Sequence, residues 1–188
     1  GARAQEAACS ALTAPGQFAD TTVTSARWTP ANPADRTPAY CEVVGKVRPV
    51  PGSNIGVVFR LPEGWNGKML GLGGGGSAGN VQLRTATPGL QKGYATAQTD
   101  AGHENPNGDY KEWAILAPGK PNTTALTDFA WRAVHLTAVT GKAVVAKYYG
   151  RPHSRAYFQG CSTGGRMGLM EAQRFPGDYD GIISGAPV

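Results

Sequence analysis

The stretch Ala156-Tyr157-Phe158-Gln159-Gly160-Cys161-Ser162-Thr163-Gly164 decides how this sequence folds. An apolar strand pattern ends at Gln159, and an amphipathic helical pattern runs from about Gly164 to Arg174. Residues 160–164 match G-x-S-x-G, the pattern of a nucleophile elbow. The bare pattern should arise by chance in roughly one such glycine-rich chain in seven. Its position between a strand and a helix gives it weight, although a plain turn with a bystander serine stays an alternative.

Each residue of this motif has a predicted role. Ser162 is the candidate nucleophile, held on a sharp turn in a strained backbone conformation. Gly160 and Gly164 leave the room that this turn needs, because a larger side chain would meet the adjoining strand or helix. Thr163 lies at the N-terminus of the predicted helix. Its backbone N–H could stabilise an oxyanion formed on a carbonyl that Ser162 attacks.

The run from Gly71 to Gly76 has two interpretations. In the first interpretation, Gly71, Gly73 and Gly76 form the pattern G-x-G-x-x-G, which is typical of a nicotinamide-dinucleotide-binding oxidoreductase domain. Asp100 then lies near the position of the acid that binds the ribose. The residues that follow make a poor crossover helix, which counts against that interpretation. The favoured interpretation is a second oxyanion-binding loop that offers a free backbone N–H.

A serine hydrolase also needs a base and an orienting acid. His103, His135 and His153 all precede Ser162, whereas α/β-hydrolases place both groups after the nucleophile. His135 is expected to pack or face solvent and His153 to be solvated, while His103 closes a polar turn that is equally well explained as structural. A His-Asp-Ser arrangement using Asp128 is formally possible but belongs to β-barrel proteases.

The remaining periodicity predicts an α/β fold. Strands are expected over 42–48, 55–61, 68–72, 94–99, 156–159 and 182–184, and one long helix over about 126–149. The first two strands should form an antiparallel pair. Alternation of strands and helices then predicts a mainly parallel sheet covered on both faces.

Composition limits the functional classes. The chain has 188 residues and a net charge of +5 without a basic cluster or a long apolar run, so neither nucleic acid nor a membrane is an expected partner. Residues 1–41 are predicted to be an extended segment, tied by a Cys9–Cys41 disulfide if the chain is exported. Residues 42–188 are predicted to belong to the catalytic domain, and Cys161 has no partner in this chain.

The sequence resembles the tannase and feruloyl esterase family, which includes mono(2-hydroxyethyl) terephthalate hydrolase. The blocks that carry the likeness are Gly160 to Arg166, Leu169 to Pro176, Asp180 to Pro187, Gly73 to Gly76, Thr99 to His103 and Asp128 to His135. They extend from about residue 40 to the end of the chain. Together these blocks are far more specific than G-x-S-x-G alone.

The resemblance implies an incomplete α/β-hydrolase fold that acts on esters of aromatic acids. Ser162 would be the nucleophile, and Thr163 with Gly75 or Gly76 would form the oxyanion hole. Cys161 would pair with a cysteine beside a catalytic histidine outside this chain. Family members are about three times longer, with the catalytic acid and base beyond a calcium-binding lid. The resemblance therefore implies a secreted or periplasmic carboxylesterase whose present portion holds no metal ligand or other cofactor site and is inactive alone.

Overall fold

A mixed β-sheet forms the centre of the molecule, and a computed structural model describes residues 1–188. The strands are β1 (Thr21–Thr29), β2 (Tyr40–Val47), β3 (Ile55–Pro62), β4 (Lys68–Leu72), β5 (Ala95–Thr99), β6 (Ile115–Ala117), β7 (Lys120–Pro121), β8 (Arg155–Cys161) and β9 (Gly181–Gly185). The helices are α1 (Ala2–Ala11), α2 (Thr87–Gln91), α3 (Lys111–Ala114), α4 (Thr123–Thr127), α5 (Ala133–Tyr149) and α6 (Thr163–Arg174).

Seven strands make the main sheet, in the order β1-β2-β3-β5-β4-β8-β9. The predicted antiparallel pairing of β2 with β3 is confirmed. The expectation of a mainly parallel sheet is wrong, because β1–β2 and β3–β5 are also antiparallel and only the β5-β4-β8-β9 half is parallel. Hydrophobic periodicity identifies a strand without giving its direction, so this half-and-half division was not available from the pattern.

The N-terminal segment has more regular structure than predicted. Instead of an extended run over residues 1–41, α1 is followed by the nine-residue strand β1, which pairs with β2. The predicted disulfide is confirmed: Cys9 and Cys41 are bonded at 2.03 Å, and both are fully buried. This bond fastens α1 to β2, and closing a loop of 32 residues restricts the unfolded chain by about 3 to 4 kcal/mol.

Helices lie on both faces of the parallel half of the sheet. The α5 helix passes close to it at Gly141, where an added Cβ would lie 3.0 Å from Phe59 and 3.2 Å from Met69. The α2 helix lies on the opposite face, since Gly89 meets Leu70, whose side chain alternates with that of Met69. Gly141, within α5, therefore permits close packing of this helix on the sheet.

The predicted helix over about 126–149 is present but not uniform. A π-helical turn at Asp128–Arg132 joins α4 to α5, and Gly150 ends α5 with a φ of 72°. The fully buried carboxylate of Asp128 accepts a hydrogen bond from Ser53 at 2.9 Å and is ion-paired with Arg132. These contacts tie the turn to the loop before β3.

The last strand, β9, pairs only with β8 and forms an edge of the sheet. Ile183 in this strand is 70% exposed.

None of the helices combines the length and apolar character needed to cross a lipid bilayer.

Adjacent strands β4 and β8 bring the two chemical motifs together. They run parallel, with Leu72 opposite Gln159. The glycine run follows β4, and the G-x-S-x-G turn follows β8, so both lie at the carboxyl edge of the sheet, where ligands bind in open α/β folds.

Candidate active site

Ser162 occupies the sharp turn that the sequence predicted. Its φ of 59° and ψ of −121° lie in a region that side-chain-bearing residues rarely adopt. The Ser162 N–H donates to the Gly185 carbonyl at 3.0 Å, and the Ser162 carbonyl accepts from Arg166 N–H at 3.0 Å. The turn is thus held between β9 and the first turn of α6, so the surrounding structure maintains the strain.

Two glycines leave the space for this turn. A Cβ on Gly160 would lie 2.3 Å from the Gly164 carbonyl oxygen, and one on Gly164 would lie 2.8 Å from the Gly74 carbonyl oxygen. Contacts this short with backbone atoms do not occur in folded proteins, so neither position accepts a side chain without movement of the chain. The first contact lies within the elbow, and the second joins it to the glycine loop.

We define the glycine loop as Gly73 to Gly79. It lies directly against the elbow: an added Cβ on Gly73 would be 2.4 Å from Gly164 Cα. The Gly73 N–H donates to the Gln159 carbonyl at 2.9 Å, and the Thr163 hydroxyl donates to the Gly76 carbonyl at 2.6 Å. These bonds fix the loop to β8 and to the start of α6.

Several amide groups at this junction have no protein acceptor. The N–H groups of Gly75 and Gly76 make no hydrogen bond, while the Gly75 carbonyl accepts from Ala78 at 3.0 Å. Thr163 begins α6, where helix geometry leaves the N–H without a carbonyl one turn earlier. A cleft of about 410 Å³ is lined in part by Gly75 and Cys161. The arrangement can stabilise negative charge on a carbonyl oxygen.

The dinucleotide-binding interpretation does not agree with this geometry. A phosphate-binding glycine turn opens directly into a helix whose N-terminus faces the phosphates. Here the next helical residues after the loop are a single 3₁₀ turn at Leu83–Ala86 and the five-residue α2. Asp100 is not free to bind a ribose, because its carboxylate accepts hydrogen bonds from Gly56 N–H at 2.9 Å and from Gly102 N–H at 2.8 Å.

No acid or base is hydrogen-bonded to Ser162 in the structure, and its hydroxyl has no partner. His103 binds the Ser77 carbonyl and His135 binds Asp178. Asp128 is ion-paired with Arg132. The His-Asp-Ser alternative is therefore not assembled, since each of its candidate members is engaged elsewhere.

Sequence reasoning missed a partly buried cluster of side chains that includes Glu171 of α6. His135 Nδ1 lies 2.6 Å from Asp178 Oδ2, and its ring stacks on Phe175 with centroids 3.8 Å apart. Glu171 is fully buried, and neither of its oxygens has a donor in the structure. Burial, and then the neighbouring Asp178, raise the pKa of Glu171 from 4.5 to about 9. A neutral Glu171 can itself donate its proton to Asp178.

His135, Glu171 and Asp178 each offer one nitrogen or oxygen atom that could ligate a metal ion. These three atoms lie within 4.8 Å of one another, which is near enough to share one ion. The imidazole of His135 is already hydrogen-bonded to Asp178. A proton on Glu171 lets the second carboxyl group lie beside Asp178 without charge repulsion. We interpret the cluster as a hydrogen-bonded network linking α5, α6 and the segment before β9.

This network predicts a pH dependence of stability. Between about pH 4.5 and pH 9, folded Glu171 keeps a proton that the unfolded chain releases, so the free energy of unfolding should fall as the pH rises. One such group contributes at most about 1.4 kcal/mol per pH unit. Glu171→Gln, neutral at every pH, should flatten the pH profile of the urea unfolding midpoint, whereas exposed Glu6→Gln should leave it unchanged. An unaltered profile in the first variant would contradict a neutral Glu171.

The chain is similar to proteins of known family. A sequence profile described as "Tannase and feruloyl esterase" matches residues 41–188. A probable feruloyl esterase of Arthroderma benhamiae is 44% identical over 133 residues, covering 71% of this chain and 25% of the relative. The mono(2-hydroxyethyl) terephthalate hydrolase of Piscinibacter sakaiensis is 36% identical over 185 residues, covering 90% of this chain and 31% of the relative.

A solved structure agrees with these sequence matches. The crystal structure of feruloyl esterase B from Aspergillus oryzae superposes with a TM-score of 0.82 and 32% identity, over 97% of this chain and 37% of the other. The predicted α/β-hydrolase fold is thereby confirmed, and the chain spans about a quarter to a third of the curated relatives just described. By sequence and by structure, the chain belongs to the tannase and feruloyl esterase family.

Proposed function

We propose that the protein containing this chain is a serine carboxylesterase that hydrolyses esters of aromatic acids through an acyl-enzyme on Ser162. The observation that supports this most directly is the strained backbone of Ser162, with a φ of 59°, beside the unpaired N–H groups of the glycine loop. A serine on such a turn stands clear of the chain on either side, so a planar ester carbonyl can approach its hydroxyl.

In the proposed reaction, Ser162 Oγ attacks the ester carbonyl and loses its proton to a general base. The carbonyl oxygen becomes negatively charged and accepts hydrogen bonds from Thr163 N–H and from Gly75 or Gly76 N–H. The C–O bond to the alcohol then breaks, the alcohol takes a proton, and water hydrolyses the acyl-enzyme by the same route. The positive end of the α6 dipole at Thr163 favours both oxyanion intermediates.

The acid and base are proposed to come from a part of the protein outside residues 1–188. No histidine of this chain is hydrogen-bonded to Ser162, and an unassisted hydroxyl is a weak nucleophile. Residues 1–188 alone are therefore proposed to be inactive. The exposed thiol of Cys161 is proposed to form a disulfide with a cysteine in that other part.

The substrate class is proposed from the relatives, whose names specify feruloyl and terephthalate esters. Export to the periplasm or the cell exterior is proposed as well. The buried Cys9–Cys41 disulfide supports it, because such bonds persist mainly in oxidising compartments.

The test is covalent labelling of the full-length protein by a fluorophosphonate, followed by peptide mass spectrometry. We expect one modified residue, Ser162, and hydrolysis of methyl ferulate, methyl gallate or mono(2-hydroxyethyl) terephthalate that stops as the label accumulates. Urea-unfolded protein is the control and should not be labelled, since the reaction depends on the assembled site. Hydrolysis that continues in fully labelled enzyme would exclude the proposed mechanism.

A further inference from the structure

His103 lies at the end of a rigid turn beside the glycine loop. The turn follows β5, and two consecutive residues have left-handed backbone angles, Ala101 with a φ of 66° and Gly102 with a φ of 100°. A Cβ on Gly102 would lie 2.7 Å from Asp128 Cβ, so the turn presses directly on the π-helical segment. The buried Asp100 carboxylate holds it through the hydrogen bonds from Gly56 and Gly102. The position of the His103 backbone is therefore closely determined.

The imidazole of His103 binds the glycine loop. Its Nε2 lies 2.6 Å from the Ser77 carbonyl oxygen, and the ring stacks on Trp113 with centroids 3.5 Å apart. A carbonyl oxygen can only accept, so Nε2 must carry the hydrogen. Nδ1 is buried without a partner, and burial lowers the pKa of this histidine. The side chain is consequently a neutral donor.

The same turn holds the loop at two further points. The Asn105 amide donates to the Ser77 hydroxyl at 2.6 Å, and the Gly79 N–H donates to the Asp100 carbonyl at 3.1 Å. At its other end, the loop is fixed by Gly73 N–H to β8. The free amides of Gly75 and Gly76 thus lie between anchored ends. On the C-terminal side the Thr163 hydroxyl holds the Gly76 carbonyl, and the His103 bond to the next carbonyl, that of Ser77, holds the loop from the opposite side.

We propose that His103 is a positioning residue that orients the oxyanion-binding amides by fixing the Ser77 carbonyl. A trans peptide is planar, so holding the Ser77 carbonyl fixes the orientation of the peptide plane between Ser77 and Ala78. Fixing that plane limits the rotation of the preceding peptide planes, which carry the Gly75 and Gly76 N–H groups. The inference rests on the proposed function, because oxyanion binding gives this orientation its effect. His103 itself makes no hydrogen bond to Ser162 and has no proton-transfer role in the proposed reaction.

Two substitutions in the full-length enzyme test the proposal. His103→Phe keeps an aromatic ring on Trp113 but removes the donor, whereas His103→Gln can keep a side-chain N–H near Ser77. Loss of one well-aimed oxyanion donor lowers kcat by about 100- to 1,000-fold, so a misaligned donor should cost about 10- to 100-fold. For methyl ferulate we expect that fall in kcat for His103→Phe, KM within about 3-fold of the parent, and partial recovery of kcat in His103→Gln.

The control is His153→Gln, because His153 makes no side-chain hydrogen bond and lies outside the loop. Thermal unfolding separates misfolding from misalignment, and any variant is assayed well below its own midpoint. Parental kcat in folded His103→Phe would overturn the proposal, as would a rise in KM alone. Failure of the proposed function is distinguishable, since it would appear as an unlabelled Ser162 in the parent enzyme whatever the His103 variants do.

Discussion

Replacing Ser162 with alanine in the full-length enzyme is expected to lower kcat for aromatic esters by about 10⁴- to 10⁶-fold, the range for losing a serine nucleophile. The substitution removes the oxygen that is proposed to form the acyl-enzyme and leaves the glycine loop and α6 intact. Substrate binding should change little, because the oxyanion donors and the cleft remain. Steady-state kinetics and fluorophosphonate labelling measure the two expectations. Ser10→Ala, at an exposed serine in α1, is the control and should behave like the parent.

The backbone of Ser162 adds a second expected result at the same position. Alanine is as strained as serine at a φ of 59° and a ψ of −121°, whereas glycine is not. Ser162→Gly should therefore raise the free energy of unfolding relative to Ser162→Ala by about 1 to 3 kcal/mol, while both lack activity. Equal stability of the two variants would contradict a strain of this size, and esterase activity in either would remove Ser162 from the mechanism.

The elbow was predictable because its chemistry is local. Gly160, Ser162 and Gly164 lie within five consecutive residues, and the turn they form requires small neighbours on both sides. The glycine run was recognisable for the same reason, although its two interpretations could not be separated until the element after it was known. A short 3₁₀ turn in place of a long helix decided between them.

The missed features depend on partners distant in sequence. His135 and Glu171 are 36 positions apart along the chain, and only the packing of α5 beside α6 and the segment before β9 makes them a cluster with Asp178. The contact between His103 and Ser77 likewise crosses from β5 to the loop after β4. No periodicity records such pairs. The antiparallel pairing of β3 with β5 and the N-terminal strand β1 escaped prediction, because pairing between strands, rather than local pattern, defines them.

Gly73→Ala is the variant expected to push the glycine loop away from the elbow turn at Gly164. The new methyl group would lie 2.4 Å from Gly164 Cα and 3.0 Å from its carbonyl oxygen, both backbone atoms of α6. Relief requires the loop to move by about 1 Å, and a displacement of that size can cost about 100-fold in rate. Since the Gly75 and Gly76 amides move with the loop, we expect kcat for methyl ferulate to fall by about 100- to 1,000-fold.

The matched control is Gly177→Ala, because Gly177 is exposed and an added Cβ there would meet nothing within 4 Å. That variant should keep parental kcat and unfolding temperature. In Gly73→Ala, the unfolding midpoint should fall, and assays well below it should still show the loss of kcat. If kcat instead recovers fully wherever the variant is folded, then the spacing between loop and elbow supports the fold alone, and the oxyanion amides must lie elsewhere. A persistent loss assigns the contact between Gly73 and Gly164 to catalysis, because the hydroxyl of Ser162 is retained in this variant.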